Sequence, residues 1–365
     1  MRYRFRCYPT PAQSAHMAQL FGCTRVVYNK MLALRTDSYA NEGKSIGYHE
    51  TSKALTELKR TEGYEWLKDV SCVPLQQGLR HLNTAFVNFF KKRARYPRFK
   101  RRSHAQSAEF TASAFKYAAG KLSLAKIGRL HVVWSRGFTS QPTTVTLSKT
   151  ASGKYFVTLV VDEVRAPKSK TGKSVGVDLG ISRLATYSDG TRIANPRYTA
   201  KYADQLAKAQ RLLSRKTKGS GRWHRQRIKV ARIHDKIVNA RRDHLHKVTT
   251  ALVANYDVIA VEDLNVRGMV RNRKLAKHTS CASFGEFRTM LEYKCAWYGK
   301  ELRVLDRFFP SSKRCNACGH IQGAMPLNVR TWECPECKKQ NDRDHNAARN
   351  IRDFAAGQVV QARGE

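Results

Sequence analysis

The chain of 365 residues is 41% hydrophobic, which is enough for roughly two to four domains with buried cores. Its 68 lysines and arginines against 28 acidic residues give a formal net charge of +40, so nucleic acid is the leading expected partner. The sequence has no run of 18 apolar residues and no apolar segment near its start, so we expect neither a transmembrane helix nor a secretory signal, and its nine cysteines fit a reducing cytosol.

The N-terminal half alternates between strand and helix patterns. Residues 1–9 alternate in polarity and predict a strand, and Thr10-Pro11 is typical of a helix N-cap followed by the first helical position. Apolar residues then recur at helical spacing, and short alternating runs between 108 and 165 predict antiparallel strands. We therefore predict a small β-barrel or sheet that is interrupted by helices over 11–35, 48–60 and about 74–92.

A basic segment at 165–173, which contains Pro and Gly, predicts a domain boundary. Beyond it, Asp189-Gly190 predicts a hairpin turn, and the helical region from 200 is densely basic. The order of strands and helices is that of the RNase H/RuvC fold. The predicted elements are strands at 174–180, 183–189, 191–195, 256–264 and 301–306, and helices within 200–255, over 283–299 and from about 344 to 355.

Two CxxC pairs near the C-terminus predict a metal site. Cys315 and Cys318 are followed by Cys334 and Cys337, at a spacing typical of a four-cysteine zinc module. Each pair places two thiolates on a tight knuckle, and two knuckles close a tetrahedron. Because four thiolates leave no open position for water, the zinc is expected to be structural rather than catalytic.

Three acidic residues form a candidate catalytic set. Asp178 and Glu262 each end an apolar strand, and Asp344 begins the last predicted helix. Any one of them alone is better explained as a turn or solvent-facing residue. Together they suit two Mg²⁺ ions that clamp a phosphodiester, with Asp178 bridging them. Asp263 is predicted to point to the other side of its strand, and Asp342 to precede the helix, so neither should take part.

Several runs carry a resemblance to a known family over nearly the whole chain. They are YPTPAQ, LQQGLRHLNTAFVNFF, VGVDLGIS, VEDLNVRGM, FPSSKRC and DRDHNAARNI. The sequence resembles the TnpB (OrfB) family of transposon-encoded RNA-guided nucleases, which are related to the type V CRISPR effectors. The resemblance implies that Asp178, Glu262 and Asp344 are a RuvC catalytic triad. Lys338 and Asn341 depart from the family pattern, which has Gly and His at these positions.

The resemblance implies an α/β multidomain architecture, in agreement with the predicted elements. A RuvC/RNase H-like nuclease domain carries an inserted zinc ribbon, and a wedge-type β-barrel interrupted by a helical recognition domain precedes it. The expected boundaries are 1–10 and 103–167 for the barrel, 11–102 for the recognition domain, 168–310 and 341–356 for the nuclease domain, 311–340 for the ribbon and 357–365 for a flexible tail.

Some basic and amide side chains are candidates for nucleic-acid contact. Glutamine can read adenine in the major groove, and the family recognises a short DNA motif. Basic runs are either solvated faces or, with this net charge, a groove for an RNA–DNA hybrid. The candidates are Gln76, Gln77, Lys91, Arg95, Arg98, Arg222 and Arg225.

We therefore expect an RNA-guided, Mg²⁺-dependent DNA endonuclease of an insertion-sequence transposon, which cleaves double-stranded DNA beside a short transposon-adjacent motif with a single RuvC site. The implied cofactors are two Mg²⁺ ions, replaceable by Mn²⁺ in vitro, one structural Zn²⁺ and an omega (right-end) guide RNA. The protein is expected to be a monomer in a cytoplasmic ribonucleoprotein, nucleoid-associated when bound to DNA, without a membrane partner.

Other functions stay open at this point. A nuclease-inactive, RNA-guided DNA-binding repressor is the main alternative, although such a protein would be expected to lack a carboxylate of the triad. A cationic binding protein without chemistry is another. A transposase is disfavoured, because no His-x-His pair accompanied by a catalytic Tyr nucleophile is recognised. His244, His246 and His278 have no spacing that indicates a ligand set and are interpreted as surface or core residues.

Overall fold

The computed structural model describes residues 1–103, 105–272, 276–326 and 328–357, with Lys277 described by its backbone alone. The chain forms two compact units, Met1–Val164 and Arg165–Glu365. The division falls at the start of the basic segment for which the sequence predicts a boundary. From residue 358 onward, the predicted tail lies outside the described residues. Within the described part, no helix is long and apolar enough to cross a membrane.

The first unit combines antiparallel sheets with helices. Its strands are β1 (Arg2–Cys7), β2 (Gln106–Thr111), β3 (Phe115–Ala118), β4 (Lys121–Leu124), β5 (Gly128–Leu130), β6 (Val132–Val133), β7 (Pro142–Lys149) and β8 (Tyr155–Val161). Its helices are α1 (Pro11–Glu42), α2 (Tyr48–Leu58) and α3 (Cys72–Phe90). One sheet has the order β2-β7-β8-β1-β6, and another has the order β3-β4-β5. The helices thus lie in sequence between two strands of one sheet.

Local chemistry explains where these elements begin and end. Thr10 caps α1 and forms a capping box with Gln13, as the Thr10-Pro11 pair predicts. The helix continues past residue 35 to Glu42, where Gly43 ends it with a φ of 64°. Among the alternating runs between 108 and 165, the one at 130–134 is broken at His131, because β5 pairs with β4 whereas β6 pairs with β1. The chain therefore changes sheets at this residue.

The second unit is built on a mixed sheet. Its strands are β9 (Ser174–Leu179), β10 (Arg183–Tyr187), β11 (Arg192–Ala194), β12 (Val258–Glu262), β13 (Glu301–Leu305), β14 (Thr331–Glu333) and β15 (Gln340–Asp342). Its helices are α4 (Tyr198–Lys201), α5 (Ala203–Ser214), α6 (Gly221–Asn255), α7 (Val266–Arg271), α8 (Ala276–Ala282), α9 (Phe284–Tyr298) and α10 (Arg343–Ala355). The sequence did not predict α7 and α8. The main sheet has the order β11-β10-β9-β12-β13, and β14 pairs with β15.

Strand direction changes within the main sheet. β9, β10 and β11 are antiparallel neighbours, and the turn between β10 and β11 contains Gly190 at a φ of 93°. β12 runs parallel to both β9 and β13. One face of the sheet is covered by α6 and α9, with a core that includes Val177, Leu252 and Phe287. On the other face Ile351 of α10 packs with residues of β12 and β13.

The basic helices α5 and α6 pack against each other through a small apolar cluster of their own, centred on Ala209, Ile233 and Ile237. Ser220 caps α6, and the buried Gln226 donates a 3.0 Å hydrogen bond to the Ala209 carbonyl. The faces that the two helices turn toward each other are therefore fixed by packing, and the basic side chains of the helices face outward.

Candidate functional site

Three acidic side chains converge beside one face of the main sheet. In β9, strand alternation turns Val177 toward α6 and α9, and it turns Gly176 and Asp178 toward α10 on the opposite face. The parallel register between β9 and β12 makes Glu262 the neighbour of Asp178. Asp344 lies in the first turn of α10. The predicted triad is therefore drawn from three elements that are far apart in sequence.

The carboxylates interact electrostatically. Burial raises the pKa of Asp178 well above its ordinary value, and the negative charges of Glu262 and Asp344 raise it further, against the opposing effect of Arg343 and Arg330. Burial also raises the pKa of Glu262. The shift of Asp178 means that the charges of Glu262 and Asp344 destabilise its ionised form, so a bound cation would relieve the repulsion.

Two residues that the sequence analysis missed contact these carboxylates. The Ser311 hydroxyl donates a hydrogen bond to Oε1 of Glu262. Nη1 of Arg330 lies 3.5 Å from Oδ1 of Asp344. Both residues belong to the segment between β13 and β15. Ser311 lies in the FPSSKRC run, which could have drawn attention to it, whereas no local pattern marks Arg330.

Two neighbouring acids have partners outside the carboxylate cluster. Asp263 forms 2.5 Å ion pairs with Arg288 and Arg307, whose hydrogen bonds lower its pKa. Asp342 is the N-cap of α10 and forms a 2.8 Å ion pair with Arg192. Both residues stabilise local structure through these pairs and do not join the carboxylate cluster.

The four cysteines form a compact cluster. Their sulfur atoms all lie within 4.8 Å of one another, at 3.7 Å between Cys315 and Cys337 and at 3.5 Å between Cys318 and Cys334. In the described part of the chain, no other group of His, Cys, Asp or Glu is grouped so tightly. The cluster could hold a structural zinc ion, and four thiolates would close its coordination. The carboxylates are spaced more widely.

The loops around the cysteines accommodate Lys338 and Asn341, the two residues that depart from the family pattern. The backbone nitrogens of Gly319 and Lys338 donate to the carbonyls of Cys315 and Cys334, so each closes its knuckle in the same way. Gly319 has a φ of 83° and Lys338 a φ of 56°, so a lysine adopts the left-handed conformation that favours glycine. Asn341 is buried, and its Nδ2 lies 3.8 Å from Sγ of Cys315. The amide can therefore donate to a thiolate.

The predicted nucleic-acid residues occupy exposed positions in both units, apart from the half-buried Gln77. Their contacts with nucleic acid stay predictions. His244 and His246 both lie within α6. The candidates are Gln76 and Gln77 on α3, Lys91, Arg95 and Arg98 after it, and Arg222 and Arg225 on α6.

Family models match three parts of the chain. They are described as "Probable transposase" for residues 156–273, "Cas12f1-like, TNB domain" for residues 284–351 and "Helix-turn-helix domain" for residues 1–44. In the structure, residues 1–44 contain β1 and the uninterrupted helix α1. The second match contains the cysteine cluster and most of α10.

Curated relatives match the full length of the chain. A protein of Streptomyces pristinaespiralis is 48% identical over 367 residues, covering 100% of this chain and 90% of the relative. A protein of Escherichia coli K12 is 35% identical, covering 100% of this chain and 94% of the relative. Both carry the name "Putative RNA-guided DNA endonuclease", with InsQ added for the latter.

A solved structure shares the fold. The protein in a cryo-EM structure of a Cas12f1-sgRNA-target DNA complex aligns with a TM-score of 0.58 and 15% identity, over 94% of this chain and 83% of that one. The fold is thus of the mixed α/β class found in Cas12f effectors. At 48% and 35% identity over the full length, the relatives define the family more closely: the chain belongs to the TnpB (OrfB) family.

Proposed function

We propose that the protein is an RNA-guided, Mg²⁺-dependent DNA endonuclease with a single RuvC-type site, which cleaves double-stranded DNA beside a short transposon-adjacent motif. The observation that carries this proposal is the convergence of Asp178, Glu262 and Asp344 beside one face of the main sheet, where the charges of the other two acids add to burial in raising the pKa of Asp178. An acid that serves only in ion pairs has a lowered pKa instead, as Asp263 illustrates.

The sheet supports a RuvC/RNase H-like assignment for 168–310 and 341–356. Three antiparallel strands are followed by two parallel ones, and α10 brings the last acid to the face where the strand acids point. Residues 311–340, which contain the cysteine cluster, are proposed as an inserted zinc ribbon. In the first unit, 1–10 and 103–167 are proposed as the wedge-type barrel and 11–102 as the recognition domain.

The donor set fits hard divalent cations, because it consists of carboxylate oxygens in a region where their charges repel one another. When bound, two Mg²⁺ ions would polarise the phosphodiester and activate water. Asp178, which lies next to Glu262 in the paired strands and interacts with Asp344, would hold the metal together with these two carboxylates. Ser311 orients Glu262, and Arg330 offsets part of the charge on Asp344.

The proposed partners are a guide RNA and target DNA. The relatives' names describe RNA-guided DNA endonucleases, and the similar Cas12f1 was solved with sgRNA and target DNA. The net charge of +40 provides the electrostatic attraction for two such polyanions. We propose that the protein acts in the cytoplasm as one protein copy per ribonucleoprotein.

A nuclease-inactive repressor is the second candidate. It would share the RNA and DNA partners, so only the carboxylate site separates the two functions. The presence of all three carboxylates, brought together on one side of the sheet, favours the nuclease.

A purified ribonucleoprotein tests the proposal. RNA that copurifies with the protein should, when sequenced, be one structured species that ends in a variable guide. Complexes with a reprogrammed guide should then cut a plasmid library with randomised flanks in Mg²⁺ and not in EDTA. Guide-dependent binding without cleavage would establish the repressor instead, and absence of a discrete RNA would contradict both functions.

A further inference from the structure

Ser311 occupies a position between the carboxylate site and the cysteine cluster. Its side chain is buried, with 5% of the residue exposed, and its hydroxyl donates to Glu262. Its carbonyl oxygen accepts a 2.7 Å hydrogen bond from Nδ2 of Asn350 on α10. One residue is therefore fixed to β12 through its side chain and to α10 through its backbone.

Two asparagines one helical turn apart hold the first knuckle. Asn350 also donates to the Arg314 carbonyl at 2.6 Å, and its Oδ1 accepts from Nδ2 of Asn316 at 3.2 Å. Asn346 donates to the same Arg314 carbonyl at 2.7 Å, and its Oδ1 accepts from the Asn316 backbone nitrogen at 2.9 Å. Both amides are almost fully buried, with 4% and 3% of the residues exposed. These bonds satisfy both ends of each amide and fix the two residues that flank Cys315.

Helix α10 consequently has two fixed faces. Ala348 and Ile351 pack against the main sheet, and Asn346 and Asn350 hold the segment that enters the cysteine cluster. Asp344 lies at the start of this helix. The position of the first knuckle therefore determines how Glu262 is held, and the same helix carries the third carboxylate.

We propose that Ser311 is a positioning residue for the carboxylate site, which with Asn346 and Asn350 couples the cysteine-bearing segment to Glu262. The inference rests on the proposed metal-dependent function. Loss of the Ser311 hydroxyl would free Glu262 to rotate away from its metal-binding orientation, although Ser311 itself touches no reacting atom. Groups that orient a metal ligand in this way typically contribute 10–100-fold to metal affinity or activity.

The test measures Mn²⁺ binding to the full ribonucleoprotein, by electron paramagnetic resonance of the free ion. The Asp178→Asn complex gives the Mn²⁺ that binds elsewhere, including to RNA, and this amount is subtracted. The variants are Ser311→Ala, Ser311→Thr as the conservative rescue, and Ser312→Ala as a matched control at the half-buried neighbour. Zinc content by atomic absorption reports separately on the cysteine cluster.

We expect Ser311→Ala to weaken Mn²⁺ binding about tenfold or more and to raise the Mg²⁺ concentration needed for half-maximal cleavage in parallel. Zinc content should not change, and the Thr variant and the Ser312→Ala control should behave like the wild type. Asn350→Asp, which replaces two donors by acceptors facing the carbonyls of Ser311 and Arg314, should weaken Mn²⁺ binding by the same route.

Mn²⁺ affinity of Ser311→Ala within about twofold of the wild type, a shift far below the expected range, would overturn the positioning role. So would a wild-type protein whose Mn²⁺ binding does not depend on Asp178. A wild type that binds Mn²⁺ at the carboxylates but cleaves no programmed DNA would overturn the nuclease proposal alone, because the Mn²⁺ titration still decides the role of Ser311.

Discussion

The cysteine cluster and the carboxylate cluster lie in the same unit, yet they are assembled in different ways. The four sulfur atoms come from two short loops and lie within 4.8 Å of one another. The three carboxylates come from β9, β12 and α10 and are spaced more widely. Burial and the charges of the other two acids raise the pKa of Asp178. The first site is organised by local backbone turns, whereas the second depends on the packing of the whole unit.

This difference suggests that the two sites respond differently to damage. A change in a knuckle should affect metal retention first, and a change in the packing of α10 should affect the carboxylates without removing any ligand. Substitutions at the two sites should therefore separate these responses.

Asp178→Asn should reduce cleavage by more than about a thousandfold, because it removes the proposed bridging ligand of a cooperating set. In EDTA the same variant should unfold at a higher temperature than the wild type, since it removes a buried charge that its neighbours destabilise. Guide RNA binding should persist in a gel-shift assay. Cleavage by the variant at the wild-type rate would contradict the assignment.

Asp263→Asn is the matched control for this change. It should leave cleavage nearly unchanged and should lower the unfolding temperature, because Arg288 and Arg307 lose their shared carboxylate. If Asp263→Asn abolished cleavage while Asp178→Asn did not, the two acids would have exchanged roles.

Cys315→Ser should reduce zinc content from about one ion per chain toward zero, because a four-thiolate site loses a ligand that serine replaces poorly. Atomic absorption on the purified protein measures this loss. The exposed Cys72, outside the cluster, provides the control, and Cys72→Ser should retain the metal. Unchanged zinc in Cys315→Ser would show that the cysteines are not the ligands.

Gly176→Ala should destabilise the second unit by about 3 kcal/mol or more, because its Cβ would overlap the Ala348 carbonyl and lie 2.5 Å from the Arg352 nitrogen. Chemical denaturation measures the effect. In Gly285→Ala, the new Cβ at the start of α9 would meet nothing within 4 Å, so this control should be neutral or stabilise by about 0.5–1 kcal/mol. Equal stabilities for the two variants would contradict the close approach of α10 to β9.

Substitution of Asp257 gives the smallest expected effect. The pKa of Asp257 is lowered, whereas that of Asp178 is raised. Its hydrogen bond with the buried Lys300, at 2.5 Å, lowers its pKa to about 2. A depressed pKa contributes stability that is complete above the unfolded value near 3.8 and is lost as pH falls toward 2. Asp257→Asn should therefore unfold at a lower temperature than wild type at pH 7, and thermal scans should show this difference shrinking below pH 4. A difference independent of pH would contradict the pairing.

The cysteine cluster and the strand-end positions of Asp178 and Glu262 could be predicted from sequence because their signals are local. The catalytic role of the three acids stays a prediction. A CxxC spacing specifies a knuckle by itself, and an acid at the end of an apolar run lies at the edge of a sheet. Alternation along the strand also separated Glu262 from Asp263. The structure adds that Asp342 serves as a helix cap, a role that follows from its place one residue before α10.

The contacts of Ser311 and Arg330 could not be predicted in this way, because each joins segments that only the folded unit brings together. The same holds for the asparagines of α10, although their spacing of four residues, Asn346 and Asn350, marks a shared helical face. The break at His131 depends on a choice between two sheets, which residue alternation along the chain does not decide.

Gly176, two residues before Asp178, is a residue whose identity depends on a distant part of the chain. Because Gly176 leaves room for the backbone of α10, the first of the two glycines in the VGVDLG run reflects a contact with the far end of the unit. A designer who moved this strand to another scaffold would carry over the acid and lose the reason for the glycine. A transferable form of the site must therefore include the last helix as well as β9 and β12.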